Sequence, residues 1–337
     1  MRDLIAKILD GDRLTEAEAG RLLTDLTSED LDPAMAAAAL AGMRTRGETA
    51  EELRAFARGL QEIAVAPDIA DVSRAVDVVG TGGDSSGSLN LSTGAALLAA
   101  AAGAEVIKHG NRSVSSRSGS FDVLGALGLD VPWDARRAGG VFEETGFTYL
   151  FAPSFHPSMK AIAPVRQSMG TRTIFNLVGP LANPARVPHL VVGAFSGECA
   201  EMMAETLSGM DITRAFVIHG EPGWDEPTPV GPYLMFDVTP GRVERLVEDP
   251  ADFGIDRCEP EDLIGGDAEQ NAAAILEVFA GRPGPHRDAL VLGASLAIRV
   301  GGVSTDDALG MATGAIDDGA AMDLVDRLAA TQETVDV

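Results

Sequence analysis

Two cysteines, Cys199 and Cys258, are all that the 337-residue chain contains. They are too few for a disulfide framework, which suits a reducing compartment and leaves both as structural thiols. Positive charge is scarce as well: 26 Lys plus Arg stand against 51 Asp plus Glu, a net charge of −25. A surface this acidic repels a phosphate backbone over most of its area, so nucleic acid is not expected as a partner. Only Lys7, Lys108 and Lys160 are lysines, a bias read as genome composition rather than function. Long hydrophobic runs are also missing. The longest, Gly94 to Ala104, falls short of the roughly 20 residues that span a bilayer. Asp3 and Asp10 arrive before any apolar run of signal-peptide length. No membrane partner is expected, and the location expected is the cytoplasm.

What the chain does have is 45% apolar and 23% charged residues, the balance of a folded protein, over about twice the usual domain length of roughly 150 residues. The first seventy residues read as helices only, with Thr15/Glu18 and Thr49/Glu52 in capping-box spacing. From Val76 the texture changes to short apolar runs: Val76 to Gly80, Glu105 to Lys108, Thr148 to Phe151, Leu190 to Phe195 and Ala215 to His219. These fit buried parallel strands. Helical patterns at Thr93 to Ala102, Phe121 to Leu127 and Glu198 to Leu207 alternate with them, as a parallel α/β sheet requires. Tyr233 to Val238 and Arg242 to Val247 flank a Thr-Pro-Gly turn and predict a hairpin inserted into that sheet. Helices resume from Asp267. The fold class is α/β, with a small helical domain over 1–70 and a large domain with a mainly parallel sheet over 71–337. The stretch 156–183, helical from His156 to Gly170, is expected to rejoin the small domain in space. No repeat or low-complexity segment occurs beyond the alanine-rich Ala95 to Ala102.

Four stretches carry chemistry. Asp77-Val-Val-Gly80-Thr-Gly-Gly83-Asp84, followed by Asn90-Leu91-Ser92-Thr93 at a helix start, empties a strand into glycines whose N–H groups can approach an anion. A glycine-rich turn before an ordinary helix cap would read the same way, and the spacing matches neither the Walker loop nor the dinucleotide fingerprint. Lys108-His109-Gly110-Asn111-Arg112-Ser113-Val114-Ser115-Ser116-Arg117-Ser118-Gly119-Ser120 sets three cations and five hydroxyls at the next strand end, which suits a polyphosphate more than a solvated loop. Asp225-Glu226, just past another strand, suggests Mg²⁺, although adjacent acids in an acidic chain are often surface charge. Arg166 and Arg172, in the stretch Pro164 to Pro184, could each grip a carboxylate or simply pair with an acid.

Together these stretches resemble the anthranilate phosphoribosyltransferases, from about Leu4 to the C-terminal helices, and GTGGD with KHGNRSVSS is highly specific for them. The resemblance implies a helical domain and an α/β domain with the active site in the cleft between them. It also implies a homodimer through the helical domain, and transfer of the 5-phosphoribosyl group from phosphoribosyl pyrophosphate to the amine of anthranilate in tryptophan biosynthesis. Carried onto this chain, it implies a phosphoribosyl pyrophosphate site of Gly80, Gly83, Asp84, Ser88, Asn90, Leu91, Ser92, Thr93, Lys108, His109, Gly110, Asn111, Arg112, Ser113, Val114, Ser115, Ser116 and Ser120. Anthranilate falls to Gly80, Asn111 and Arg166, with His109 and Pro180 lining its path. Magnesium, two ions per subunit, falls to Ser92, Asp225 and Glu226. Leu89, Leu91 and Gly293 depart from the family pattern.

The implied chemistry is electrostatic, with no nucleophilic residue or general base. Lys108, Asp225 and Glu226 serve the departing diphosphate, and Arg166 orients the acceptor's carboxylate. Lys108, Arg112, Arg117, Arg166 and Arg172 make a locally positive cleft on an acidic body. Two other readings stay open. One is a phosphoribosyltransferase or nucleoside phosphorylase with another acceptor, which Arg166 and KHGN oppose. The other is a non-catalytic relative that binds nucleic acid, which Asp225-Glu226 and the acidity oppose.

Overall fold

The computed structural model describes residues 1–84, 86–112 and 117–331. Its first four helices are Arg2–Leu9, Glu16–Leu26, Pro33–Arg46 and Ala50–Ile63. Both expected capping boxes form, each Thr hydroxyl accepting from the Glu backbone N–H while the Glu carboxylate accepts from the Thr N–H. Glu52 does more than cap. Its fully buried carboxylate also accepts from Leu14 N at 2.8 Å and from the Arg46 guanidinium at 2.6 Å, so it ties two helices to the connection between the first two.

Seven strands follow: β1 (Val76–Gly80), β2 (Val106–Gly110), β3 (Phe147–Phe151), β4 (His189–Gly193), β5 (Arg214–Gly220), β6 (Tyr233–Thr239) and β7 (Arg242–Glu248). Their order is β3-β2-β1-β4-β5-β6-β7, and the first five run parallel. The hairpin β6–β7 is not inside the sheet, as the sequence suggested, but extends one edge, antiparallel to β5. A turn this short can return the chain only alongside itself, so the hairpin adds to an edge and leaves β7 largely exposed.

Helices cover the sheet. Leu91–Ala101 is buried almost throughout, and Pro285–Arg299 crosses it at close range. The approach explains Gly293. A Cβ there would stand 2.9 Å from Ala95 Cβ, and one on Gly94 would stand 2.7 Å from Leu290, so glycine on each helix lets the backbones close up. Its propensity loss of about 1 kcal/mol is offset by that packing. Leu89 and Leu91 are both core residues, so their departure from the family pattern stays apolar.

The stretch after β3 is less regular than one helix. Pro157–Lys160 forms a single tight 3₁₀ turn, Ala163–Met169 a short helix ended by left-handed Gly170, and Ile174–Val178 another. Proline at the start of the first two sets these breaks. The last two pieces pack on Pro33–Arg46 and Ala50–Ile63, and the Phe175 ring meets Phe56 edge-on, 5.7 Å between centroids. From the other side, Arg54 and Arg58 of the N-terminal helices donate to Glu205 O, Thr206 O and Gly209 O, at the C-terminal end of the helix Gly197–Ser208.

Candidate active site

From β1 the chain winds outward through β2 to β3 and then returns to β4 on the other side of β1. The crevice beyond the carboxyl ends of β1 and β4 is therefore the switch point at which open α/β sheets take ligands. Both phosphate-type stretches open there, one after β1 and one after β2. β1, β2, β4 and β5 each end in glycine, at Gly80, Gly110, Gly193 and Gly220. Space is the reason. At Gly110 a Cβ would stand 2.5 Å from the Ser120 hydroxyl; Asp225 and Glu226 lie across the other three ends, so a Cβ on Gly80 would stand 2.5 Å from the Asp225 carboxylate. On Gly193 it would stand 1.7 Å from Asp225 O, and on Gly220 2.2 Å from Glu226 O.

The acidic pair is held by backbone donors of the glycine loop and of the helix behind it. Gly82 N donates to Asp225 Oδ2 at 2.6 Å, and Ser92 N, in the first turn of Leu91–Ala101, donates to Glu226 Oε1 at 3.0 Å. Asp225 N in turn donates to Asp84 Oδ2 at 3.3 Å. Two of the amides that the sequence offered to an anion thus meet the chain's own carboxylates. Burial, and next the charge of Asp84, lift Asp225 to about 7; burial, and next Asp225, lift Glu226 to about 8. The cation facing them from below is the buried Lys108, whose ammonium donates to Val78 O and whose own pKa burial lowers.

That crowding of negative charge is what a divalent cation relieves. Among the described residues no three acidic, histidine or cysteine side chains form a complete metal cage. A pair of carboxylates beside a phosphate cradle nonetheless fits Mg²⁺, which keeps several waters and takes the rest of its ligands from substrate oxygens.

Around this centre the other residues sort themselves. Asn90 exchanges hydrogen bonds with Ser118 and takes a third from Asn271 Nδ2 at 2.7 Å, which closes the helix start against the second stretch. Ser88 bonds Ser86 and pairs with Ile264, while the side chains of Leu91 and Thr93 point into the core. Ser120 hydroxyl meets Asn111 O and the Tyr149 hydroxyl beside Gly110. Arg112 covers the Phe121 ring at 4.4 Å. Ser113, Val114, Ser115 and Ser116 lie outside the described residues. His109 is buried with its ring 5.2 Å from that of His156, and burial first, then His156, push it down to about 3, so it is neutral. Pro180 is buried in the turn Gly179–Leu181. Arg166 lies over Phe175 at 5.3 Å and, among the described residues, meets no carboxylate at ion-pair distance. Cys199 and Cys258 are free thiols that burial raises to about 12 and about 11, so neither is an activated nucleophile.

Sequence reasoning gave no role to Asp77, Asn183 or Asn271. Asp77 is fully buried and accepts from His109 N at 3.1 Å and from Asn183 Nδ2 at 2.9 Å. Asp77 and Asn183 sit inside informative stretches, but nothing in local spacing reveals that they touch across 106 residues. Asn271 carries no such signal.

Comparison with known proteins agrees with the architecture. A glycosyl transferase family helical bundle domain matches residues 2–64, and the α/β domain of the same family matches residues 72–322. The anthranilate phosphoribosyltransferase of Azorhizobium caulinodans is 43% identical over 334 residues, covering 98% of this chain and 96% of that protein. The one from a Thermoanaerobacter species is 40% identical over 325 residues, 96% of each. The crystal structure of the Thermus thermophilus enzyme superposes with a TM-score of 0.91 at 39% identity, over 98% of this chain and 100% of that one. The Saccharomyces cerevisiae enzyme, solved with PRPP and Mg, shares the fold at a TM-score of 0.89 and 22% identity, over 99% and 98%. No helix among the described residues is long and apolar enough to cross a membrane. With curated relatives at least 40% identical over 96% or more of its length, the chain belongs to the anthranilate phosphoribosyltransferase family.

Proposed function

We propose that this protein transfers the 5-phosphoribosyl group of phosphoribosyl pyrophosphate to the amine of anthranilate, giving N-(5-phosphoribosyl)anthranilate and pyrophosphate, within tryptophan biosynthesis. One observation carries the reading: the Asp225-Glu226 pair sits across the β1 and β4 ends, clasping the glycine loop and the following helix start. Asp225 and Glu226, with Ser92 beside them, would hold Mg²⁺, two ions per subunit. The ions supply charge that stabilises the departing diphosphate.

The chain's own residues do the rest. The loop Gly80 to Asp84 and the run from Lys108 to Ser120, Ser113 to Ser116 included, surround the donor with amides, hydroxyls and cations. Arg166, a half-buried guanidinium that pairs with no acid among the described residues, takes the anthranilate carboxylate, with Asn111 and Gly80 beside it and His109 and Pro180 lining the path. Phe175 supports Arg166 and leans on Phe56, so the helical domain helps to set the acceptor site. As the C1–O bond breaks and the C1–N bond forms, pyrophosphate leaves with the electron pair. The amine, neutral at pH 7, gives up its proton to solvent, so no side chain need act as base.

The domain limits 1–70 and 71–337, with 156–183 joining the helical unit, are supported by the packing of Ala163–Met169 and Ile174–Val178 on Pro33–Arg46 and Ala50–Ile63. We place the homodimer contact on the helical domain, where Leu9, Ile63 and Val65 are exposed apolar residues. The cytoplasm remains the proposed location.

The test is loss of anthranilate fluorescence on adding phosphoribosyl pyrophosphate and Mg²⁺, with an Asp225→Asn/Glu226→Gln double variant as control. Magnesium-dependent loss that the variant lacks supports the reading. Release of pyrophosphate with other acceptors but not with anthranilate defeats it.

A further inference from the structure

Arg172 is a cation that the chemistry above leaves unused. It stands between left-handed Gly170 and the helix Ile174–Val178, with its guanidinium 3.9 Å from the centroid of the Phe195 ring. Its Nη2 donates to the carbonyl of Gly83, inside the glycine loop. Its own carbonyl accepts from Arg44 Nη1 at 2.5 Å, and Arg44 belongs to the helix Pro33–Arg46. Among the described residues neither arginine pairs with an acid, in a chain where acids outnumber bases by 51 to 26.

The contact acts on a backbone that would otherwise have several choices. Gly82 and Gly83 both have left-handed φ, 65° and 70°, a conformation that turns successive N–H groups toward one side as a nest for anions. Glycine crosses to other conformations at little steric cost, so such a nest needs fixing from outside. The carbonyl of a trans peptide points opposite to the N–H that follows it. A guanidinium holding Gly83 O therefore also fixes the direction of Asp84 N–H. Asp225 fixes the Thr81–Gly82 peptide, one removed along the loop, through Gly82 N at 2.6 Å. The peptide groups on either side of Gly82–Gly83 are thus pinned by side chains from different parts of the fold, and the Phe195 ring under the guanidinium helps to hold the arginine fork in place.

We propose that Arg172 is a positioning residue for the donor's diphosphate: it sets the Gly83 peptide, while Arg44 of the helical domain sets Arg172. The inference rests on reading the Gly80 to Asp84 loop as the diphosphate cradle. Its consequence is that the helical domain acts on the donor site through Arg44, as well as on the acceptor site through Phe56.

The test compares Arg172→Ala, Arg172→Lys, Arg44→Met and the Arg44→Met/Arg172→Ala double variant. The readouts are separate KM values for the two substrates and the thermal shift produced by phosphoribosyl pyrophosphate alone. Losing one charge-assisted hydrogen bond should raise the KM for phosphoribosyl pyrophosphate about tenfold in Arg172→Ala and shrink the thermal shift in step. The KM for anthranilate should stay within about twofold, because Arg166 is untouched. Lysine, which has charge but no planar fork, should restore less than half of the loss. Arg44→Met should show the same pattern at about threefold, and the double variant should be no worse than Arg172→Ala, since Arg44 acts through that side chain.

Unchanged donor KM and thermal shift in Arg172→Ala overturn the proposal, as does full rescue by lysine or additivity of the two variants. If Arg172→Ala does not fold, Arg172→Lys and Arg44→Met carry the same test. A wild-type protein without turnover or donor-induced shift would instead defeat the reading beneath, whereas an active wild type with indifferent variants defeats this inference alone.

Discussion

Replacing Gly193 by alanine should disable the enzyme without touching a charged group. The new methyl would start 1.7 Å from Asp225 O, against the 3.4 Å at which ordinary contact begins, and its neighbour is backbone rather than a flexible side-chain tip. Either β4 retreats from β1 and β5, between which it is fully paired, or the Trp224 to Glu226 segment lifts off the strand ends. The second costs less, because the segment is held by a few single bonds, from Gly82 N and Ser92 N, to Asp84 and between Gly220 and Trp224, rather than by a full strand ladder on each side. Displacing it by more than an ångström should lower kcat by about 10²-fold or more, the usual result of misplaced charge at a reacting centre. Overpacking should cost about 1–3 kcal/mol, a fall in Tm of several degrees for a chain of this size. The assay is anthranilate fluorescence across a Mg²⁺ titration, with Gly310→Ala as control, because a Cβ there meets nothing within 4 Å. Gly310→Ala should be neutral or slightly stabilising. Turnover and Mg²⁺ dependence within about twofold of wild type in Gly193→Ala would refute the claim that glycine holds the acidic pair in place.

Other outcomes follow from the same geometry. Arg166→Ala should raise the KM for anthranilate by roughly 30- to 100-fold, the value of a charge-assisted pair, and leave that for the sugar diphosphate nearly unchanged; equal effects on both would remove Arg166 from the acceptor site. Glu52→Ala strands the buried Arg46 and the Leu14 and Thr49 amides, and should cost about 3–5 kcal/mol in urea unfolding; a loss under 1 kcal/mol would contradict it. Burial alone would raise the pKa of Glu248, but hydrogen bonds from Arg299 and Tyr233 override it and hold it low. Its contribution to stability is therefore present above the unfolded carboxyl pKa of about 4.3 and lost as pH falls through the lower folded value. Glu248→Gln should be less stable than wild type at pH 7, with the gap closing below about pH 4; a gap that widens in acid would show the sign to be wrong.

How much was legible depended on distance along the chain. The strands β1 to β5 and both capping boxes are written in a few neighbouring residues each, as apolar runs or as Thr and Glu three apart, and these read correctly. The hairpin was legible as a hairpin but not as an edge, because neither strand's pattern says which neighbour it joins. Asp225 and Glu226 were legible as adjacent acids just past a strand, yet the glycines that seat them are scattered over 140 positions, at 80, 193 and 220. Gly293 looked like a defect because its reason, Ala95, lies on another helix. Arg172 and Asn271 show the limit most plainly: each is an ordinary residue locally, and its partner is fixed only by the folded chain.

The carbonyls that Arg54 and Arg58 satisfy give the order of synthesis a physical meaning. Helices within residues 2–63 leave the ribosome well before the helix Gly197–Ser208, whose last turn they complete. At 5–20 residues per second the interval is about 7–27 s. For that time the early helices have to persist as a module without the surface they will later meet. They are equipped to do so: their capping boxes and the Glu52–Arg46–Leu14 network are internal to the module. The later helix is the dependent partner, arriving with its end unfinished at a receptor already formed.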